Sequence, residues 1–228
     1  MISKTVLIIG ASKGIGLELV RFFANYNSLH VVCIARDFSN TDLSNYENIS
    51  THELDISGVN FKDDLSKLIK DINVDFLINN AGALINKPFL DISYEDMLYS
   101  YQVNTFAVIA AIQAVIPSMI SNGGHVVNIS SMGGFQGTMK FPGLAVYSSS
   151  KATLVNLTEM LAEEFKDSKI KFNCLCLGAV QTDMLEKAFP GYKAPLNAEE
   201  MASFIGDFTL NSAKWMNGRI IPVSLSTP

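Results

Sequence analysis

Cysteine is scarce and odd in number, three in 228 residues. Cys33, Cys174 and Cys176 each lie inside an apolar stretch, and Cys-Leu-Cys is neither a zinc nor a redox spacing. A disulfide framework is thereby excluded, and buried free thiols in a reducing cytoplasm are expected. Histidine is as rare: His30, His52 and His125 are scattered on or beside strands without ligand spacing, so no metal is expected. Basic residues are outnumbered, 17 Lys+Arg against 22 Asp+Glu, for a net charge of −5 without a basic run. That removes the electrostatic footprint of a nucleic-acid partner. The first ten residues lack the basic region and cleavage site of an export signal. Residues 103–120 are nearly all apolar and almost long enough to cross a bilayer, but Asn104, Gln113 and Pro117 interrupt them. Such a helix is expected to be buried in a core or an oligomer interface, with no membrane partner.

What is present is a core: 48% of the residues are hydrophobic, enough to fill one domain spanning residues 1–228. Short apolar runs at residues 5–9, 31–35, 51–54, 76–78, 125–129, 170–177 and 219–223 read as strands. Between them, helices are predicted over 15–25, 61–70, 94–120, 145–166 and 197–210, the third stopped by Asn122-Gly123-Gly124. Strands alternating with helices predict a doubly wound parallel α/β sheet. Ligands of such sheets bind beyond the carboxyl ends of the strands, which makes the loops 133–143 and 189–195 the expected pocket walls.

Gly10-Ala11-Ser12-Lys13-Gly14-Ile15-Gly16 follows the first strand and opens the first helix. In that context glycines let backbone N–H groups approach a pyrophosphate at a helix N-terminus, although a glycine turn can also serve packing alone. Folds that bind NAD place an acid on the ribose about 20 residues further on. Here Ala35 and Arg36 stand at that point; Arg36 and Lys13 suit a 2′-phosphate, while the neighbouring Asp37 leaves room for NAD. NADP(H) is the favoured cofactor. Tyr147 and Lys151, four residues apart, share one helix face, where an ammonium favours phenolate. Moving a tyrosine from ~10 to ~7 takes about 4 kcal/mol. One charge at ~4 Å and an effective dielectric of ~20 supplies about that much.

Together these residues resemble the short-chain dehydrogenase/reductase family from residue 5 to 223, with further matches at Asp55 in Leu-Asp-Ile, Asn79-Asn80-Ala81-Gly82, Asn104 and Asn128-Ile129-Ser130-Ser131. The resemblance implies a Rossmann fold and a catalytic set: Ser131 binding the substrate carbonyl, Tyr147 donating the proton, Lys151 holding ribose hydroxyls and lowering the tyrosine pKa, and Asn104 ordering a relay water. Ser130 is the weaker candidate. It also implies cofactor contacts from Gly10, Ser12, Lys13, Gly14, Ile15, Gly16, Arg36, Asp55, Ile56, Asn80, Ala81, Gly82, Gly178, Val180 and Thr182. Without the family, Asp55 is an ordinary strand-end acid, Ser131 a turn hydroxyl and Asn104 a core amide.

The chain departs from the family pattern at Ile9, at Leu177-Gly178 and at Val223-Ser224-Leu225-Ser226, and residues 133–143 are slightly expanded. The implied activity is NADPH-dependent reduction of a ketone or aldehyde, or the reverse oxidation. Reduction of a 3-oxoacyl thioester is a related possibility, but for an acidic carrier protein only Lys166, Lys169 and Lys171 stand near the expected mouth. The rival is a cofactor-binding sensor without turnover. Apolar helices at 103–120 and 147–165 predict a homodimer or homotetramer.

Overall fold

The computed structural model describes residues 4–226. Strands β1 (Lys4–Ile9), β2 (Leu29–Ala35), β3 (Ile49–Glu53), β4 (Phe76–Asn79), β5 (Gly124–Ser131), β6 (Ile170–Leu177) and β7 (Arg219–Val223) form one sheet in the order β3-β2-β1-β4-β5-β6-β7. Every pairing is parallel. The strands read as near-continuous apolar runs because both faces are covered. Leu7, Ile9, Val32, Leu77 and Val126 face α2 (Phe61–Leu68), α4 (Ala107–Asn122) and α5 (Ala145–Glu164). The alternate residues Val6, Ile8, Val31, Ile78 and Val127 face α1 (Gly14–Ala24) and α7 (Ala198–Asn211). Phe23 and Phe172, one in each layer, are fully buried, which stabilises by roughly 1.5–3 kcal/mol apiece. The fold is Rossmann-like, and the strand order reverses between β1 and β4, opening a crevice at their carboxyl ends.

The long helix departs most from the sequence pattern. A capping box, Ser93 with Asp96, starts α3 (Tyr94–Tyr101), and Gly123, at φ 82°, ends α4 by donating its N–H to Met119 O at 2.7 Å. Between α3 and α4 the expected single helix widens into a π turn, Gln102–Phe106, where Ala107 N–H reaches back to Gln102 O. Val103, Ala107, Ala111, Ile112, Val115 and Met119 are buried against the sheet layer, as expected of a core helix. A short helix that the periodicity did not reveal, α6 (Asp183–Ala188), follows β6; Thr182 Oγ1 accepts from Leu185 N–H at its start.

Candidate functional site

The carboxyl ends of β1 and β4 are drawn together by backbone that only glycine allows. Gly10 has φ 87°, and a Cβ there would stand 2.6 Å from Ala81 Cα. Asn80 Nδ2 donates to Gly10 O at 2.9 Å, and the N–H groups of Asn80 and Ala81 donate to Ile9 O at 3.1 and 2.8 Å. Gly14 opens α1 at φ 51° beside Thr182, whose Cγ2 would lie 3.4 Å from an added Cβ. The first turn of α1 carries no acid, and Lys13 at its N-cap makes no side-chain capping bond. The helix's positive end therefore faces the crevice open to an anion, with Ser12, Lys13 and Ile15 around it.

Further along that crevice stand the residues after β2 and β3. Arg36 Nη1 lies 3.4 Å from the Tyr99 hydroxyl of α3. Asp55 accepts from Ser57 N–H and Oγ at 3.0 and 2.7 Å; these bonds, and then Arg36, hold its carboxyl below the usual range. Asp37 is lowered likewise by Ser39 first and then by Lys13. Ile56 is buried beneath. Two cations, two carboxylates and an uncapped helix end fit a pyrophosphate-bearing nucleotide.

Ser131 ends β5, while Tyr147 and Lys151 stand one turn apart on α5. Lys151 is 3% exposed, and its Nζ donates to Ile129 O at 2.9 Å and Ala81 O at 3.4 Å. A Cβ on Gly82 would sit 3.5 Å from Lys151 Nζ and 3.6 Å from Asn104 Oδ1, so glycine there keeps the pocket open. Asn104, in the π turn and fully buried, accepts from Ala83 N–H at 2.8 Å and donates to Ala83 O at 2.8 Å and Ser150 Oγ at 2.9 Å. Its amide is thus committed to protein partners. Ser150, which carries no signal of its own inside Tyr-Ser-Ser-Ser-Lys, ties Asn104 to the Tyr147 carbonyl, to which its hydroxyl donates at 2.8 Å.

The two serines separate cleanly. Ser130 Oγ donates to Lys151 O at 2.8 Å and fastens strand to helix. Ser131 Oγ accepts from Gly133 N–H at 3.2 Å, and its hydroxyl favours the ionised form of the Tyr147 phenol. The expected direction of the tyrosine shift is corrected. Burial pushes the phenol above its ordinary value, and the Ser131 hydroxyl opposes that only in part. Lys151 is not poised to reverse it, because its ammonium is held by strand-end carbonyls and burial lowers it to about 8.

The walls are those expected. Phe141 packs edge-on against Phe189 at 5.6 Å, so loops 133–143 and 189–195 touch, and just before the second loop Ala188 O accepts from Asn86 Nδ2 at 2.9 Å. The expanded loop folds back on itself: Lys140 Nζ donates to Gly133 O, Phe135 O and Thr138 Oγ1 at 2.9, 2.6 and 3.0 Å. A depression of about 490 Å³, lined by Phe89, Lys140, Phe141, Pro142 and Leu144, flanks that loop without including a catalytic candidate. The atypical tail covers the other side. Gly178 N–H donates to Val223 O at 2.9 Å and Ala179 N–H to Ser226 O at 3.3 Å, holding the segment that carries Val180 and Thr182. Lys166, Lys169 and Lys171 lie where α5 ends and β6 begins, the sheet edge opposite the crevice, and do not flank the mouth.

A family model described as short chain dehydrogenase matches residues 4–193. "Dehydrogenase/reductase SDR family member 6" of Xenopus laevis is 29% identical over 198 residues, 86% of this chain and 78% of that one. "NADP-dependent 3-hydroxy acid dehydrogenase" of Schizosaccharomyces pombe (strain 972 / ATCC 24843) is 30% identical over 223 residues, 89% and 85% of the two chains. The solved "4-hydroxyisoleucine dehydrogenase complexed with NADH" shares the fold at TM-score 0.88, 24% identical, with 97% of each chain covered. The chain belongs to the short-chain dehydrogenase family and is an NAD(P)-dependent oxidoreductase acting on CH–OH and C=O groups.

Proposed function

We propose that this single-domain protein is an NADPH-dependent carbonyl reductase acting on a small ketone or aldehyde, and that Ser131, Tyr147, Lys151 and Asn104 carry the reaction. The observation that supports this best is the placement of Ser131 at the carboxyl end of β5 with Tyr147 and Lys151 one helical turn apart on α5, the Lys151 ammonium fixed on Ile129 O at 2.9 Å. A bound nicotinamide supplies the hydride. Ser131 holds the carbonyl oxygen, and Tyr147 gives it a proton. A phenol kept neutral by burial is suited to that donor role at neutral pH. Lys151 binds hydroxyls through its ammonium, and Asn104 fixes the Ala83 backbone that backs the pocket. Lys13 and Arg36, with alanine rather than an acid at position 35, favour a 2′-phosphate. Asp37 and Asp55 temper that preference without removing it.

A screen of ketones, aldehydes, quinones and 3-oxoacyl thioesters for NADPH consumption tests the proposal. At least one class should be turned over, faster with NADPH than with NADH. A protein that binds NADPH yet consumes it with none of them is a sensor rather than a reductase.

A further inference from the structure

α6 and its flanks tie together three loops at the carboxyl end of the sheet. The segment begins beside the glycine loop, where Thr182 Cγ2 would lie 3.4 Å from a Cβ on Gly14. It ends where Ala188 O accepts from Asn86 Nδ2 at 2.9 Å and Phe189 meets the Phe141 ring at 5.6 Å. Gly14 follows β1, Asn86 follows β4 and Phe141 follows β5, three strands adjacent in the sheet, with the crevice between the first two. Residues 182–189 therefore strap the crevice from one side to the other. The strap is lightly held: Asp183, Met184, Glu186 and Lys187 are exposed. Among the described residues, the bond from Asn86 is the one hydrogen bond that joins α6 to the loops after β4 and β5. It also satisfies one of the last carbonyls of α6, which the helix itself leaves unpaired. The loop beyond is fastened on its far side, by Tyr192 with Ser226 at 2.8 Å and by Ala194 N–H on Gln181 Oε1 at 3.0 Å.

Asn86 stands on a firm base. Lys87 N–H donates to Gly143 O at 3.0 Å, and Lys87 Nζ reaches Asp96 Oδ2 at 2.6 Å, in the capping box of α3. Gly143 has φ 84°, and a Cβ there would overlap Asn86 Oδ1, so glycine gives the amide its place between loop and strap.

We propose that Asn86 is a positioning residue, the latch that keeps this strap down across the crevice and so slows the departure of a bound nucleotide. It acts through Ala188 on a helix whose other end, Thr182, borders the glycine loop. The inference rests on the reading that the nucleotide lies in this crevice, but half of its test does not.

Asn86→Ala removes the donor at an exposed position outside the core. Release of NADPH, followed by its fluorescence in stopped flow when excess NADP+ is added, should quicken about threefold, the factor that one hydrogen bond of ordinary net strength sets. In the protein without cofactor, trypsin cleavage after Lys187 and Lys193, both exposed on the strap and its loop, should quicken by a similar factor, because cutting there requires the strap to lift. A residue that merely propped the loop after β4 would lower the urea midpoint and leave both rates in place. Parent rates of release or of cleavage in Asn86→Ala overturn the proposal. If the parent binds no NADPH, the nucleotide reading fails and the cleavage rates alone decide; a failure to turn over any carbonyl compound alters neither measurement. Asn86→Leu, similar in size and without the donor, replaces the alanine variant if that does not fold.

Discussion

Arg36 shows how one side chain can set a preference. Its guanidinium lies 3.4 Å from the Tyr99 hydroxyl and helps to keep the Asp55 carboxyl low, just after β2 where a ribose 2′-substituent is expected. Replacing it with aspartate puts like charge against a 2′-phosphate. Arg36→Asp should therefore weaken NADPH binding by about tenfold to a hundredfold, roughly 1.4 to 2.8 kcal/mol, while NADH binding holds or improves. Fluorescence titration with both nucleotides measures this, and an unchanged NADPH preference sinks the assignment. Lys151 carries a pH prediction with a definite sign. Burial lowers it to about 8, so it is charged below that pH and loses its charge as pH rises through it. Carbonyl reduction should accordingly decline above about pH 8, which an initial-rate pH profile at saturating cofactor checks.

At the scale of elements, the π turn explains why Asn104 is where it is. One extra residue in the helix turns the amide onto the Ala83 backbone, which it satisfies at both N–H and O. Asn104→Ala should leave those buried groups unpaired and cost about 1–3 kcal/mol, read from urea unfolding, beyond any effect on rate. An unchanged midpoint would show that the amide supports nothing.

β5 and β6 carry a second buried polar joint. The pair of hydrogen bonds from Nδ1–H of His125 to Thr209 O and from Asn173 Nδ2 to Nε2 fixes a neutral ring, and burial lowers His125 to about 4. The folded value lies below the unfolded one of 6.5, so this stability is present above about 6.5 and lost as pH falls toward about 4. The full loss is on the order of 3 kcal/mol. Comparing urea midpoints near neutral pH and near pH 4 should show a smaller acid loss in His125→Gln than in the parent; an equal loss assigns the effect to other groups.

These elements also show what sequence patterns carry. The glycine loop, the seven strands and the Tyr147–Lys151 pair were legible because each is set by local spacing: 3.6-residue periods, strand runs, and glycines where φ is positive. The π turn was not, since one inserted residue leaves the run of apolar residues from 103 to 120 looking like an unbroken helix. α6 has six residues and no full period to recognise. That Lys166, Lys169 and Lys171 lie at the amino end of β6, away from the mouth, is not legible, because nearness in sequence does not say to which end of a sheet a helix returns. The direction of the tyrosine shift is hidden from the sequence for another reason. Charge proximity is readable from i, i+4 spacing, but desolvation and the strand-end carbonyls that occupy Lys151 Nζ are not.

For the whole molecule, the surface is as telling as the crevice. Leu98, Phe106, Ile120 and Met160, on α3, the π turn, α4 and α5, are 48, 47, 55 and 58% exposed, more apolar surface than a free helix face usually leaves in water. A symmetric homodimer, or a tetramer built from it, would cover that surface. Light scattering at micromolar concentration should give at least twice the 24.9 kDa chain mass, and a monodisperse monomer contradicts it. The measurement that bears most directly on the account concerns Tyr147. Tyr147→Phe keeps the ring and removes the proton donor. Assayed with the best carbonyl substrate from the screen, it should lose about a hundredfold or more in kcat while NADPH binds as in the parent. Reduction at the parent rate with the phenol gone would show that another group protonates the carbonyl, and would overturn the central assignment.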